Sequence, residues 1–294
     1  MSGRAGQTAC RVAVVLAALC CGCAGADPEP ELPPSGEFSV LTYNVHGLPS
    51  SITGDDTTAR MHLIAPLLGA FDVVGLQEDF IDSNHDILDA ASEHPLRVRF
   101  SALYDADRVY GSGLALWSPF TEVERQQRHF GSCHGLLDSS SDCFASKGFQ
   151  ALRQELAPGL EVDFYNTHLE AGGGDEDNAV RAGQVAMLVE SLTGWSAGRA
   201  VVFTGDFNLH GDDPQDIPLL DLLTSEAGLS DSCVEVGCPE PERIDRLLFR
   251  DSAAVLLEAL SWNQEQGFTD AQGVDLSDHD ALSARFAWSS ASAD

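Results

Sequence analysis

Six stretches of this chain share one layout, a short apolar run that meets a carboxylate, an amide or an imidazole at its end. "LTYNVHG" stops on Asn44, "VVGLQED" on Glu78, "FYNTHLEAGGG" on His168, and "VVFTGDFN" on Asp206 with Asn208. Near the C-terminus, "ERIDRLLF" carries Asp245 in an apolar run and "LSDHDAL" sets Asp278 and His279 just ahead of another. β-Branched and aromatic residues that give way to turn formers read as buried strands. One polar strand end is ordinary, because Asp and Asn hydrogen-bond their own backbone in turns. Six of them are costly to bury unless they pair with one another or hold a cation. The pattern points to a shared site.

Between these runs, strands and helices interleave. The spacing predicts strands over 38–44, 71–78, 113–118, 121–130, 149–156, 160–168, 199–205, 243–249, 255–261 and 281–287. It predicts helices over 57–69, with Pro66 near the end, and over 83–93, 175–193 and 215–227. No repeat and no composition break follows residue 37. The reading is one mixed α/β domain, 38–288, with paired sheets covered by helices and a short tail at 289–294.

The N-terminus has a different character. Arg4 and Arg11 precede the apolar stretch Val12–Cys20 and a group of small residues, the layout of a secretory signal over 1–23. That stretch is too short to span a bilayer. "LCCGCAG" resembles a bacterial lipoprotein cleavage box with Cys23 as the lipidated residue, although Cys20 stands where a small or aliphatic residue is usual. Residues 24–37, rich in Pro and Glu, read as an extended tether. The expectation is an exported protein, secreted or anchored by lipid to a bacterial envelope. Four cysteines remain in the exported part, and an even count in an oxidising compartment favours the local disulfides Cys133–Cys143 and Cys233–Cys238. A zinc site would want paired C-x-x-C spacing, which is missing. The net charge of −30 lacks the basic face of a nucleic-acid binder.

The chemistry that wants this set of side chains is metal-assisted phosphoester cleavage. Carboxylate and amide oxygens suit Mg²⁺, and an imidazole beside a carboxylate can act as general base toward water. The blocks "TYNVHGL", "LQED", "THLEAG", "TGDFN", "RIDRLLF" and "SDHDAL", in this order, resemble the endonuclease/exonuclease/phosphatase superfamily from about Phe38 to Phe286. The resemblance implies a four-layered α/β sandwich of the deoxyribonuclease I type, two packed β-sheets flanked by helices. It implies Glu78 as principal metal ligand, assisted by Asn44, with His168 binding phosphate and Asp206 orienting water or holding metal. Asn208 would hold phosphate, His279 would be the base oriented by Asp245, and Asp278 would be a further metal-side or supporting carboxylate.

Residues 130–156, with two cysteines leading into Lys-Gly-Phe, resemble a segment of bacterial neutral sphingomyelinases. Lys147 is the only lysine in the chain, and a compact ammonium can serve as a point charge toward phosphate. A phospholipid head-group phosphodiester is the expected substrate class. An extracellular nuclease and an inositol-phosphate phosphatase are the competing enzyme readings, and a binding protein that has lost catalysis the non-enzymatic one. Residues 260–276, with Trp262 and Phe268, are either a peripheral membrane-contact hairpin or a surface loop. His46 lines the cleft or serves a turn, and Arg243 touches phosphate or pairs with acids.

Overall fold

A computed structural model describes residues 34–135, 142–238 and 243–291. The expected export signal, Cys23 and most of the expected tether lie outside the described residues. One sheet contains β1 (Ser35–Asn44), β2 (Val73–Gln77), β3 (Leu96–Phe100), β4 (Leu114–Ser118), β11 (Val255–Gln264) and β12 (Leu282–Ser290), in the order β11-β12-β1-β2-β4-β3. The other contains β5 (Thr121–His129), β6 (Gly148–Ala157), β7 (Leu160–His168), β8 (Ala200–Asp206), β9 (Ser230–Asp231) and β10 (Asp245–Arg250), in the order β5-β6-β7-β8-β10-β9. The helices are α1 (Ser50–Thr53), α2 (Thr57–Leu68), α3 (Asp82–Ala91), α4 (Asp175–Gly194), α5 (Ile217–Ser225) and α6 (Ser232–Val236).

The two-residue period of each strand divides its side chains between two apolar layers. Phe38, Val40 and Val73 of the first sheet meet Phe164, Val202 and Leu247 of the second. Their neighbours turn outward: Leu41, Tyr43 and Val74 pack under Met61, Ile64 and Leu68 of α2 and Leu88 of α3. Tyr165, Val201 and Phe203 pack under Val185, Leu188 and Leu192 of α4 and Leu219 and Leu223 of α5. The result is a helix–sheet–sheet–helix sandwich. Strands buried on both faces explain the near-continuous apolar runs.

Several expectations need adjusting. β1 begins at Ser35, inside the expected tether, because Ser35 to Thr42 pair with Leu282 to Ser289 of β12. β12 in turn runs into the expected tail. β3 went unassigned, although the alternation in "LRVRF" buries Val98 and Phe100. In the 260–276 segment both aromatics are engaged within the fold. Trp262 packs against the inter-sheet core under the Arg243 guanidinium, 5.4 Å from the ring centroid. Phe268 is buried edge-on against Tyr43 at 4.8 Å. Among the described residues, no helix is long and apolar enough to cross a membrane. Both expected disulfides form, with Cα–Cα distances of 5.3 Å for Cys133–Cys143 and 5.0 Å for Cys233–Cys238.

Candidate active site

The topology brings the polar strand ends to one end of the sandwich. β1 and β2 run parallel, and so do β7 and β8, which sets Asn44 beside Gln77 and His168 beside Asp206. β10 runs antiparallel to β8 and starts where β8 stops, so Asp245 faces Asp206. Asn44 and Glu78 come from the first sheet, and His168, Asp206 and Asp245 from the second. His279 comes from the turn ahead of β12.

The hub is one oxygen of the buried Asp206. Its Oδ2 accepts from Asn44 Nδ2 at 3.1 Å and lies 3.4 Å from His168 Nε2 and 3.7 Å from His279 Nε2. Asn44 Nδ2 also donates to Glu78 Oε1 at 3.2 Å. His279 Nδ1 is 2.8 Å from Asp245 Oδ2, which directs Nε2 inward. Asn208 lies two residues beyond Asp206, its N–H on Asp206 Oδ1 at 3.1 Å and its Nδ2 on the Leu169 carbonyl at 3.1 Å. Lys147, buried, donates to that same carbonyl at 2.6 Å. The single main-chain oxygen of Leu169 thus holds both Asn208 and Lys147 beside the site.

The backbone is strained where the chemistry gathers. Among the described residues, the only non-glycine positions with positive φ are His46 (48°), Glu78 (59°) and Asn208 (47°). All three lie on turns that immediately follow strands β1, β2 and β8. Left-handed geometry is unfavourable for ordinary L-residues and persists where the surroundings impose it. Gly47 permits the turn after β1, since a Cβ there would sit 2.3 Å from the Glu78 carbonyl oxygen.

Asp278, expected as a metal-side or supporting carboxylate, stands at the rim of the site, where its charge acts on His279. The Ser277 hydroxyl donates to the Asn44 carbonyl at 2.7 Å and accepts from the His279 N–H at 3.2 Å. That turn points residues 277 and 279 inward and swings Asp278 to the rim, where its side chain is 60% exposed and 3.4 Å from His46 Nδ1. His46 lines the mouth in consequence. Arg243 pairs with Asp231 and lies over Trp262, so the pairing reading holds there. Ser277 and the Leu169 carbonyl went unnoticed in the sequence, and a serine in "LSDHD" carries no signal of its role.

Electrostatics follow from burial. Loss of water raises Glu78 to about 7 against the pull of Asn44 and Lys147, with Asp206 adding repulsion. Burial also holds His168 well below its ordinary value, helped by the charges of Lys147 and His279, so its ring is neutral. Burial opposes a charge on His279 as well, but the Asp245 hydrogen bond and the carboxylates of Asp245, Asp206 and Asp278 outweigh it and push His279 up to about 10.

The residues present fit a divalent cation. Glu78 Oε2 and Asp245 Oδ1 are buried without hydrogen-bond partners, and an orphan carboxylate oxygen is expensive to bury. Asp206, Asp245 and His279 can offer ligand atoms within 4.8 Å of one another. Glu78 and Asp245 each keep one carboxylate oxygen without a partner, and Asp206 and Asn44 add oxygens already held in place by hydrogen bonds, a set suited to a hard ion. A cavity of about 250 Å³ opens beside His279, lined by Asp245, Trp262, Asp278 and Leu282 among others.

Fold and site together define a class. Residues 41–132 match the model of the Endonuclease/Exonuclease/phosphatase family. The sphingomyelinase of Mycobacterium tuberculosis is 32% identical over 265 residues, covering 83% of this chain and 51% of that protein. The chain thus spans about half the length of the curated relatives that it matches at this level. Among solved structures, sphingomyelinase C from Streptomyces griseocarneus superposes with a TM-score of 0.66 at 20% identity, over 87% of this chain and all of that one. A beta toxin variant from Staphylococcus aureus with bound magnesium ions gives 0.64 at 19% identity, over 85% of this chain and 99% of that one. These structural likenesses concern the fold.

Proposed function

We propose that the chain is a Mg²⁺-dependent phosphodiesterase that hydrolyses the head-group phosphodiester of a sphingomyelin-type lipid. The observation that carries the reading is the Asp206 hub, one buried carboxylate oxygen shared by an amide and two imidazoles beside the orphan Glu78 oxygen. The sphingomyelinase relatives support the substrate class. Glu78, Asn44 and Asp206 would hold the cation, which supplies charge against the phosphate and the leaving oxygen.

The chain's own groups supply the rest. Neutral His168 donates a hydrogen bond to a phosphoryl oxygen, joined by Asn208 Nδ2 and the ammonium of Lys147. A water within reach of both Asp206 and His279 Nε2 would be the nucleophile. Asp245 keeps the His279 ring oriented through Nδ1, so Nε2 takes the water proton as attack begins. His279 must be neutral first, and engagement of Glu78 and Asp206 by a cation weakens the carboxylate field that raises it.

Export fits this reading. The signal layout over 1–23 and two disulfides suit an oxidising compartment, with Cys23 as the proposed lipid attachment point.

The test is hydrolysis by the purified chain of sphingomyelin vesicles and double-stranded DNA in parallel, with and without Mg²⁺, and His279→Ala as blank. Mg²⁺-dependent release of phosphocholine, absent from the variant, is expected. Nicking of DNA without lipid turnover would replace the reading with a nuclease.

A further inference from the structure

Beneath the site lies a second polar layer that the mechanism above does not use. Strand side chains two residues apart share a face, so Thr42, Asn166 and Thr204 sit one step deeper than Asn44, His168 and Asp206. Gln77 precedes Glu78. All four are buried, in a sandwich whose inner layer is otherwise largely apolar.

Asn166 joins them. Its Nδ2 crosses from the second sheet to donate to two carbonyls of the first, Leu76 on β2 at 2.8 Å and Ala115 on β4 at 2.9 Å. Its Oδ1 accepts from Gln77 Nε2 at 2.7 Å and from Thr204 Oγ1 at 3.2 Å. Gln77 Nε2 also reaches Thr42 Oγ1 at 3.1 Å. The sheets come close enough for this because position 75 is glycine, where a Cβ would lie 2.2 Å from Thr204 Oγ1. Apolar packing alone tolerates small slippage, whereas a satisfied amide has one geometry. A slip here would separate Asn44 and Glu78 on one sheet from His168, Asp206 and Asp245 on the other.

We propose that Asn166 is a positioning residue that fixes the two half-sites against each other. The proposal rests on the cation-binding phosphodiesterase reading above. Asn166→Leu keeps the branched shape and the number of heavy atoms and removes all four bonds, and Val162→Ala, on the same face of β7 but in the apolar part of the interface, is the control for lost packing.

The measurements are Mg²⁺ affinity of the metal-free protein by calorimetry, unfolding in urea, and kcat and KM on sphingomyelin. Asn166→Leu is expected to fold, to bind Mg²⁺ at least about tenfold more weakly, and to lose at least about tenfold in kcat, with KM moved far less. Val162→Ala should lower stability and leave Mg²⁺ affinity and kcat near wild type.

Unchanged Mg²⁺ affinity and kcat in folded Asn166→Leu would overturn the proposal, as would equal losses in Val162→Ala. Should Asn166→Leu fail to fold, Thr204→Val removes the hydroxyl that is shared between Asn166 Oδ1 and the Tyr165 carbonyl. It must then weaken Mg²⁺ binding in the same direction, and no change overturns the proposal. Wild-type protein that neither binds Mg²⁺ nor cleaves the lipid would sink the functional reading and the proposal with it. Wild-type binding with an unaffected Asn166→Leu sinks the proposal alone.

Discussion

Glu78 combines a left-handed backbone with a carboxylate cut off from water. Its acid form is favoured in the folded chain, since burial lifts it from 4.5 to about 7. The folded state therefore holds a proton that the unfolded state releases, and metal-free protein loses stability as pH rises from 4.5 through about 7. The loss from this one group is up to about 3 kcal/mol. Glu78→Gln has nothing to titrate, so urea unfolding in a chelator should show its stability gaining on wild type between pH 5 and pH 8. The difference should shrink when Mg²⁺ is added to wild type. His279 gives the second residue-scale prediction. In Asp245→Asn its imidazole loses the carboxylate that holds it up, and titration followed by NMR on metal-free protein should fall from about 10 toward 6.5. A misoriented base should also lower kcat about a hundredfold or more.

At the scale of strands and turns, the glycine at position 75 sets how closely the sheets approach. A Cβ there meets the side chains of Thr204 and Asn166, at 2.2 Å from Thr204 Oγ1. Gly75→Ala should cost about 1–3 kcal/mol of stability by overpacking, measured by urea unfolding. Its kcat should fall beyond what that loss explains, because the wedge enters beneath the site. Much of this level was legible in the sequence. Asn44, Glu78, His168, Asp206 and Asp245 announce themselves because each interrupts an apolar run at a strand end, and parallel pairing then aligns those ends. What was not legible depends on partners distant in the chain. Phe268 sits amid polar residues and reads as exposed, but Tyr43 covers it. Asp278 reads as equivalent to His279 until the Ser277 hydroxyl fixes which of them faces in. Asn166 in "FYNTH" looks like any polar residue on an alternating strand, and only the close second sheet turns it into a cross-link.

The whole molecule carries a formal charge of −30, with 16 basic residues against 46 acidic ones. A field of that sign repels anionic lipid over roughly a Debye length, about 10 Å at 0.1 M salt. Turnover of sphingomyelin in zwitterionic vesicles should therefore drop when anionic lipid is mixed in. Added salt should restore it in part, and initial rates across a salt series will check this. The pairing of β1 with β12 has a further consequence, for the order in which the protein matures. Among the described strands β1 is made first, yet its eight-residue partner in β12 is made last, and His279 comes only just before it. A nascent chain can carry Asn44, Glu78, His168 and Asp206 and still lack the imidazole and the strand that completes the first sheet. The site therefore cannot be assembled before β12 closes the first sheet.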